Sequence, residues 1–277
     1  MTISPVTQPF TLQEQLVLLC IHPRTGDIAQ SYFLYMLSGA AIADLMRQNR
    51  LALELGRIQV RQTQSIGDRA VDDVFVRFGT TYRPHKIAWW VRNLYSSQTK
   101  VFETLAERLV ERNILTAEAH SALWVIKWTT YPVLEPAYGQ KLHKQIRAAV
   151  LGDEAVTPEI ATLISILHHG KALDKVFSAS ELVSREHRIA TIAASDPIGY
   201  AVGKAITDVL IENDLSRERS RRGHYGPPYG PPIIVVPPPR HRRPRHSRRW
   251  HNTFPGARPD ENGVWSVEEE DETSAPV

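Results

Sequence analysis

The sequence has a single cysteine, Cys20, among 277 residues, and it has no long apolar run. A lone thiol excludes an internal disulfide, and the opening Met-Thr-Ile-Ser-Pro lacks the basic and apolar regions of a signal peptide. The longest apolar stretches, 16–21 and 163–167, are far shorter than the roughly 20 residues of a membrane-spanning helix. We therefore expect a cytoplasmic protein in a reducing compartment, with only peripheral contact to any membrane.

Motifs of catalysis and cofactor binding are also missing. There is no G-x-S-x-G, no Walker loop, no G-x-G-x-x-G after a strand and no H-E-x-x-H. Cys20 follows four apolar residues and has no His nearby in sequence, which favours a buried structural role. The pair His168-His169 lacks a second His or Cys motif at zinc spacing, which favours the end of a helix before Gly170. The sequence predicts no cofactor, no metal site and no enzyme, although catalytic residues assembled by folding would leave no such motif.

Charge divides the chain into two parts. Up to Leu215 the sequence has 22 basic and 22 acidic residues, and such a neutral body argues against a nucleic-acid-binding core. Residues 217–249 then contain ten arginines, one acid and three proline runs, a composition typical of disorder. We predict a short N-terminal segment at 1–9, one folded domain at 10–215, and a disordered tail at 216–277 that is basic over 217–249 and acidic over 260–272.

Helical signals recur throughout the folded part. Thr11 and Glu14 form a capping box, and the pairs Thr157-Pro158 and Asp196-Pro197 each place an N-cap side chain before a proline at the first helical position. Apolar stripes with helical spacing predict a core-facing side for several helices. Their residues are Leu34, Leu37, Ala41, Ile42 and Leu45; Phe102, Leu105, Ala106 and Leu109; Leu142, Ile146, Ala149 and Val150; Ile160, Leu163, Ile164 and Leu167; and Ile198, Val202, Ala205, Ile206, Val209 and Leu210.

Two segments show the signals of strands instead. Leu51 to Val60 alternates apolar and polar residues around Gly56, which predicts a β-hairpin closed by the turn at 65–68. The apolar and aromatic stretch from Ala122 to Trp128 lies between polar turns and predicts a second strand or hairpin. We therefore predict a mostly α protein: a single helical-bundle domain with peripheral helices, one or two short β-hairpins and a disordered C-terminal tail.

Tryptophans are the sharpest feature of the chain, because four of the six lie in two short segments. Trp89-Trp90 lies within an apparent helix, where packing in the core is the more common role. The segment that contains Trp124 and Trp128 lies on the predicted hairpin beside Lys127, and either core packing or an anchor at a membrane surface remains open for it.

An ordered set of short segments resembles the Golgi phosphoprotein 3 family from about Phe10 to Leu215. The segments are Leu16–Leu19, Arg24-Thr25-Gly26, Ala43-Asp44-Leu45, Arg50-Leu51, Gly67-Asp68, Leu109–Thr116 and Thr129-Thr130-Tyr131-Pro132. The resemblance implies a four-helix bundle with peripheral helices and no catalysis. It also implies reversible binding to phosphatidylinositol 4-phosphate on the cytosolic face of Golgi membranes, if the source is eukaryotic, and retention of membrane proteins by their cytosolic tails.

In the same family a hydrophobic hairpin beside the lipid pocket enters the bilayer, and here that role falls to Leu123 and Trp124. The headgroup pocket of the family has one tryptophan and three arginines. At the matching positions this chain has Ala29, Ser38, Thr99 and Phe102. These four cannot provide the charge-assisted donors that an inositol phosphate needs, so lipid specificity is in doubt. Arg92 and Lys100 are candidates for a relocated headgroup site, although a solvated surface role is more common for such cations.

Two functions follow as alternatives. The first is a non-enzymatic peripheral membrane adaptor that binds an anionic lipid, with the arginines of 217–249 attracted to the membrane. The second is a soluble protein-interaction module whose basic tail binds nucleic acid or other polyanions. The tail could also be a solubilising segment neutralised by its acidic end. Self-association through the hairpin near Leu51–Val60 is a further expectation.

Overall fold

The computed structural model describes residues 9–28, 30–62, 69–81, 83–122, 126–152 and 155–221, all within one compact unit of the chain. The α-helices are α1 (Leu12–Cys20), α2 (Phe33–Arg47), α3 (Arg69–Gly79), α4 (Ile87–Leu94), α5 (Gln98–Glu111), α6 (Ala137–Leu151), α7 (Pro158–His169), α8 (Ala179–Ser184), α9 (Glu186–Ser195) and α10 (Pro197–Arg221). Strands β1 (Leu51–Glu54) and β2 (Arg57–Val60) form one antiparallel hairpin, and β3 (Glu118–Ala122) and β4 (Ile126–Thr130) form another. The predicted fold class is confirmed.

Helix α2 lies at the centre of the molecule. It is buried without interruption from Phe33 to Leu45, so it has no solvent-facing side over more than three turns. It packs against α1, α4, α7 and α10, while α10 also packs against α7, α4 and α9. A helix that is apolar all round needs such neighbours on every side, because one face alone cannot bury it. The other helices and the two hairpins lie around this bundle.

The helix starts read from the sequence are confirmed. Thr11 and Glu14 exchange both hydrogen bonds of a capping box at α1, and the hydroxyl of Thr157 accepts from the backbone N–H of Ile160 at α7. Asp196 caps α10 by accepting from the N–H of Gly199 at 2.7 Å, and its carboxylate also accepts from Arg47 at 2.9 Å. Because Arg47 lies on α2, this cap ties α10 to the central helix.

The interpretations of Cys20 and of the histidine pair are also confirmed. Cys20 is buried, and burial raises the pKa of its thiol to about 12, which makes it a poor nucleophile. Helix α7 ends at His169, directly before Gly170. Nδ1 of His169 lies 2.7 Å from the hydroxyl of Thr207, and burial lowers the pKa of the ring to about 4.

The β1–β2 hairpin turns at Leu55-Gly56, where both residues have positive φ angles of 50° and 73°. Two consecutive positive angles are the mark of the turn that matches strand twist in a two-residue hairpin. The turn leaves the side chain of Leu55 fully exposed. Self-association through this hairpin stays a prediction, and the turn predicted at 65–68 lies outside the described residues.

The two tryptophans of α4 have different environments. Trp90 is 4% exposed and packs against Phe78, which confirms the predicted core role. Trp89 is only half-buried and stacks on the ring of His85, with 3.7 Å between ring centroids. The core prediction was therefore right for Trp90 and only partly right for Trp89.

The structure differs from the sequence-based prediction in three helices that were not predicted, α3, α8 and α9, and in the end of α10. Helix α3 was not predicted, although Val74, Phe75 and Phe78 are buried at helical spacing. Helix α10 continues to Arg221, so residues 216–221 are helical and lie beyond the predicted domain end at Leu215. Alternating charges such as Arg217 and Glu218 are compatible with a solvated final turn, which composition alone does not distinguish from a tail.

Asp44 has a carboxyl group whose ionisation should affect stability. It is 7% exposed, and its two oxygens accept from the backbone N–H groups of Leu12 and Gln13 at 3.0 and 3.2 Å, at the start of α1. Burial raises the pKa of Asp44 to about 7 despite these two bonds. Between about pH 4 and 7 the folded state keeps a proton that the unfolded chain releases, so this group's contribution to stability falls as pH rises.

We expect Asp44→Asn to remove this dependence. The quantity to compare is the difference in free energy of unfolding, native protein minus variant. This difference should decrease by a few kcal/mol between about pH 4 and 7, at about 1.4 kcal/mol per pH unit. Urea unfolding at one-unit pH intervals measures it. Asp174→Asn, at an exposed carboxylate, is the control for loss of a negative charge at the surface. A difference between native protein and Asp44→Asn that is constant with pH would contradict the assignment.

Candidate functional site

The β3–β4 hairpin forms one side of the candidate site. His120 pairs with Trp128 across the strands and their rings stack, with 5.4 Å between centroids, while Nε2 of His120 lies 2.8 Å from the hydroxyl of Thr130. These contacts fix the register of the hairpin. The predicted hairpin is confirmed, but Leu123 and Trp124, the predicted membrane-inserting residues, lie outside the described residues. They belong to the three residues that connect β3 to β4 in the sequence.

A cavity of about 730 Å³ opens at the base of this hairpin. Its walls come from four segments that are distant in sequence: the loop before α2, the first turn of α2, one face of α5 from Thr99 to Glu107, and β4 with the residue that follows it. That volume lies within the range of small-ligand pockets. The lining residues are Gly26, Asp27, Ile28, Phe33, Leu34, Thr99, Phe102, Glu103, Glu107 and Lys127–Tyr131.

The loop before α2 is held tightly against the chain after β4. Gly26 has a φ of 69°, and its α-carbon lies so close to the backbone of Tyr131 and Pro132 that a β-carbon would overlap them. The N–H of Val133 donates to the carbonyl of Pro23 at 2.9 Å. This close backbone contact sets the distance between two walls of the cavity.

Aromatic rings form much of the cavity wall. Phe102 lies between Phe33 and Tyr131, with centroid distances of 5.8 and 5.9 Å and edge-to-face geometry in both pairs. Phe33 and Tyr131 are buried, Phe102 is half-buried, and Trp128 adds a fourth ring from β4. Edge-to-face pairs of this kind are mutually stabilising, so these rings form a continuous aromatic surface.

The rim of the cavity is acidic. Asp27, Glu103 and Glu107 are exposed and line it, while Lys127 is the one basic residue among the lining residues that the structure describes. Glu103 and Glu107 lie one turn apart on α5. Burial raises the pKa of the Tyr131 hydroxyl, and the negative charges of Glu107 and Glu103 raise it further. The phenol therefore stays protonated, and the field of both carboxylates reaches the Tyr131 hydroxyl in the cavity wall.

The structure brings together only some of the positions matched to the family's headgroup pocket. Thr99 and Phe102 line the cavity. Ser38 does not, because it is fully buried within α2 and its hydroxyl donates to the carbonyl of Leu34 at 2.9 Å. Ala29 lies outside the described residues.

The two cations suggested as a relocated headgroup site do not reach the cavity. Arg92 forms an ion pair with Glu212 on α10, and neither Arg92 nor Lys100 is among the described lining residues. Both are exposed. A relocated headgroup site at Arg92 and Lys100 stays a prediction.

Sequence reasoning missed the carboxylates of the site. Glu103 and Glu107 follow Thr99 and Phe102 at helical spacing, so the α5 stripe already placed them on a neighbouring face. Asp27 precedes α5 by more than 70 residues and Tyr131 follows it by 20, so only the fold places them beside the acids of α5. The sequence signal that could have indicated this site is the pair Glu103 and Glu107, four residues apart and next to Phe102.

Within the part of the chain that the structure describes, no group of three or more His, Cys, Asp and Glu side chains could hold a metal ion. No described helix is long and apolar enough to cross a membrane.

Comparison with known protein families gives the chain's affiliation. Residues 12–209 match the model of the family described as Golgi phosphoprotein 3, which covers α1 and continues into α10. The match includes both hairpins and every described wall of the cavity, and the family is one of Golgi-associated, non-enzymatic adaptors. Because the matched region spans well over half of the sequence, this chain belongs to the Golgi phosphoprotein 3 family.

Proposed function

We propose that this protein is a non-enzymatic adaptor that binds membranes peripherally through the connection between β3 and β4. Family membership supports the adaptor role. The apolar sequence Leu123-Trp124-Val125 at the end of a register-fixed hairpin supports a shallow membrane anchor, because a tryptophan ring favours the interfacial region of a bilayer and aliphatic side chains favour its apolar part. In a eukaryotic cell the site of action would be the cytosolic face of the Golgi, with cytosolic tails of membrane proteins as partners.

The charge of the cavity argues for a changed lipid specificity. A phosphorylated inositol needs cationic donors, and Lys127 is opposed by three carboxylates on the same rim. We propose that anionic lipid is attracted by the arginines of residues 217–249 instead, without selection for phosphatidylinositol 4-phosphate. Each basic residue near an anionic leaflet contributes about 1 kcal/mol before it is reduced by salt and mobility.

Liposome flotation of the full chain tests this function. We expect the protein to float with vesicles of phosphatidylcholine and phosphatidylserine, and to gain little when phosphatidylinositol 4-phosphate replaces phosphatidylserine at equal charge. Trp124→Asp should reduce the floated fraction at least about threefold, because a carboxylate at the interface is costly to bury. Val183→Asp, an exposed apolar residue on α8, is the matched control and should float like the native protein.

Three results would contradict the proposal. Failure to float with any of these vesicles would exclude membrane docking, and equal flotation of Trp124→Asp would exclude the hairpin as the anchor. The polyanion-binding alternative would then predict salt-sensitive binding to heparin that is lost on deletion of residues 222–277. Strong preference for phosphatidylinositol 4-phosphate would instead contradict the changed specificity.

A further inference from the structure

We infer that the cavity at the base of the β3–β4 hairpin binds an organic cation that carries an ammonium or guanidinium group. Asp27, Glu103 and Glu107 around the rim provide its counter-charges, and Tyr131 provides a hydrogen-bonding group in the wall. The inference does not depend on membrane docking, because it concerns the charge and shape of one cavity.

The charge of the rim is the first argument. Three carboxylates and one lysine give the described lining a formal charge of −2, and none of the three acids has an ion-pair partner among the described residues. A concave surface with charges of one sign focuses the field and raises the local concentration of the opposite ion. A cation is therefore favoured over any phosphate.

The aromatic wall is the second argument. A cation over the face of an aromatic ring is attracted by the ring quadrupole, and the attraction is strongest for tryptophan. Phe33, Phe102, Trp128 and Tyr131 all line the cavity. The aliphatic carbons of a polyamine, an arginine or a lysine can pack on such rings while the charged group reaches the rim. Such a ligand has an aliphatic part that fits the aromatic wall and a charged group that fits the acidic rim.

The hydroxyl of Tyr131 is the third argument, and it is independent of the acids. Tyr131 is 6% exposed and lines the cavity, yet its hydroxyl forms no hydrogen bond with any residue in the described ranges. This oxygen is not a fully buried, unpaired atom, so it is accessible from the cavity, where it can accept a hydrogen bond from a ligand. An N–H of an ammonium or guanidinium group is a suitable donor to it.

Two sources could supply this cation, and the experiment separates them. Spermidine represents a free polyamine, and N-acetyl-arginine amide represents the side chain of a bound protein. The six tryptophans give six indole N–H cross-peaks in a ¹⁵N–¹H spectrum of the full chain, and Trp128→Phe identifies the cross-peak that belongs to the cavity. We expect one or both cations to shift the Trp128 cross-peak in a saturable manner, and the tighter ligand indicates the source.

Variants at the cavity test whether its carboxylates and the Tyr131 hydroxyl bind the cation. Glu103→Gln with Glu107→Gln should weaken the binding measured at Trp128 about tenfold, and Tyr131→Phe about threefold, in line with the loss of exposed charge pairs and of one hydrogen bond. Glu111→Gln, an exposed acid on the same helix outside the described lining, should leave binding unchanged. Circular dichroism melts confirm that each variant is folded.

The inference is overturned if neither cation shifts the Trp128 cross-peak. It is equally overturned if the Glu103 and Glu107 double variant binds as tightly as the native protein, since binding would then occur elsewhere, for example at the acidic run 268–272. A loss of liposome flotation with cation binding intact would count only against the membrane proposal, so the two failures are distinguishable.

Discussion

Gly26→Ala is expected to be among the most destabilising single substitutions in this protein. Gly26 has a φ of 69°, and an added β-carbon would overlap the backbone of Tyr131 and Pro132, which cannot move aside as a side-chain end can. The left-handed angle costs about 1–2 kcal/mol for alanine, and the overlap in a packed region adds about 1–3 kcal/mol. We expect a loss of about 3–4 kcal/mol in the free energy of unfolding, measured by urea denaturation.

The chain offers a matched control for this prediction. Gly56 has a φ of 73°, but no atom lies within 4 Å of the place where its β-carbon would stand. Gly56→Ala therefore carries the angular cost alone and should lose only about 1 kcal/mol. Equal losses in the two variants would show that the contact with Tyr131 is not tight. Because the contact between Gly26 and Tyr131 sets the distance between two cavity walls, Gly26→Ala should also weaken cation binding, whereas Gly56→Ala should not.

Local signals were sufficient for most of the fold. The start of α1 was predictable from Thr11 and Glu14, because a capping box needs only four consecutive residues. The β1–β2 hairpin was predictable from alternation around Gly56, and the β3–β4 hairpin from an apolar and aromatic stretch between polar turns. The end of α10 was not, since residues 216–221 are polar and arginine-rich and their helical state is a continuation of the packed turns before them.

The candidate site was less accessible to sequence reasoning. The resemblance matched Thr99 and Phe102 to the family's headgroup pocket, and the structure places both in the lining of this cavity. That their substitution removes anion-binding groups stays a prediction. The new character of the cavity was not foreseen, because it arises when Asp27, the α5 acids and the rings of β4 come together across about 100 residues of sequence. Composition counts charges, but only the fold decides which of them face one another.

Glu14→Ala is expected to have the second large effect, because Glu14 is a buried carboxylate that joins α1 to α5. It is 1% exposed, and Oε1 lies 2.9 Å from Nε of Arg108 and 3.1 Å from Nη1 of Arg112. Its other oxygen accepts from the N–H of Thr11 at 2.9 Å. Removal of the carboxylate would leave two half-buried guanidinium groups without this counter-charge. Loss of one partner of such a buried pair costs about 3–5 kcal/mol, which urea unfolding would register as a large shift of the midpoint.

Two further substitutions divide this effect into its parts. Thr11→Ala removes one bond of the capping box and should cost about 1 kcal/mol. Glu14→Gln keeps the volume and the amide oxygen for capping but removes the charge, so its loss should lie between those of Thr11→Ala and Glu14→Ala. Native-like stability of Glu14→Gln would show that the negative charge contributes nothing beyond the packing and hydrogen bonds that glutamine can also provide. If Glu14→Gln instead matches Glu14→Ala, the ion pairs with Arg108 and Arg112 account for the whole contribution of this side chain.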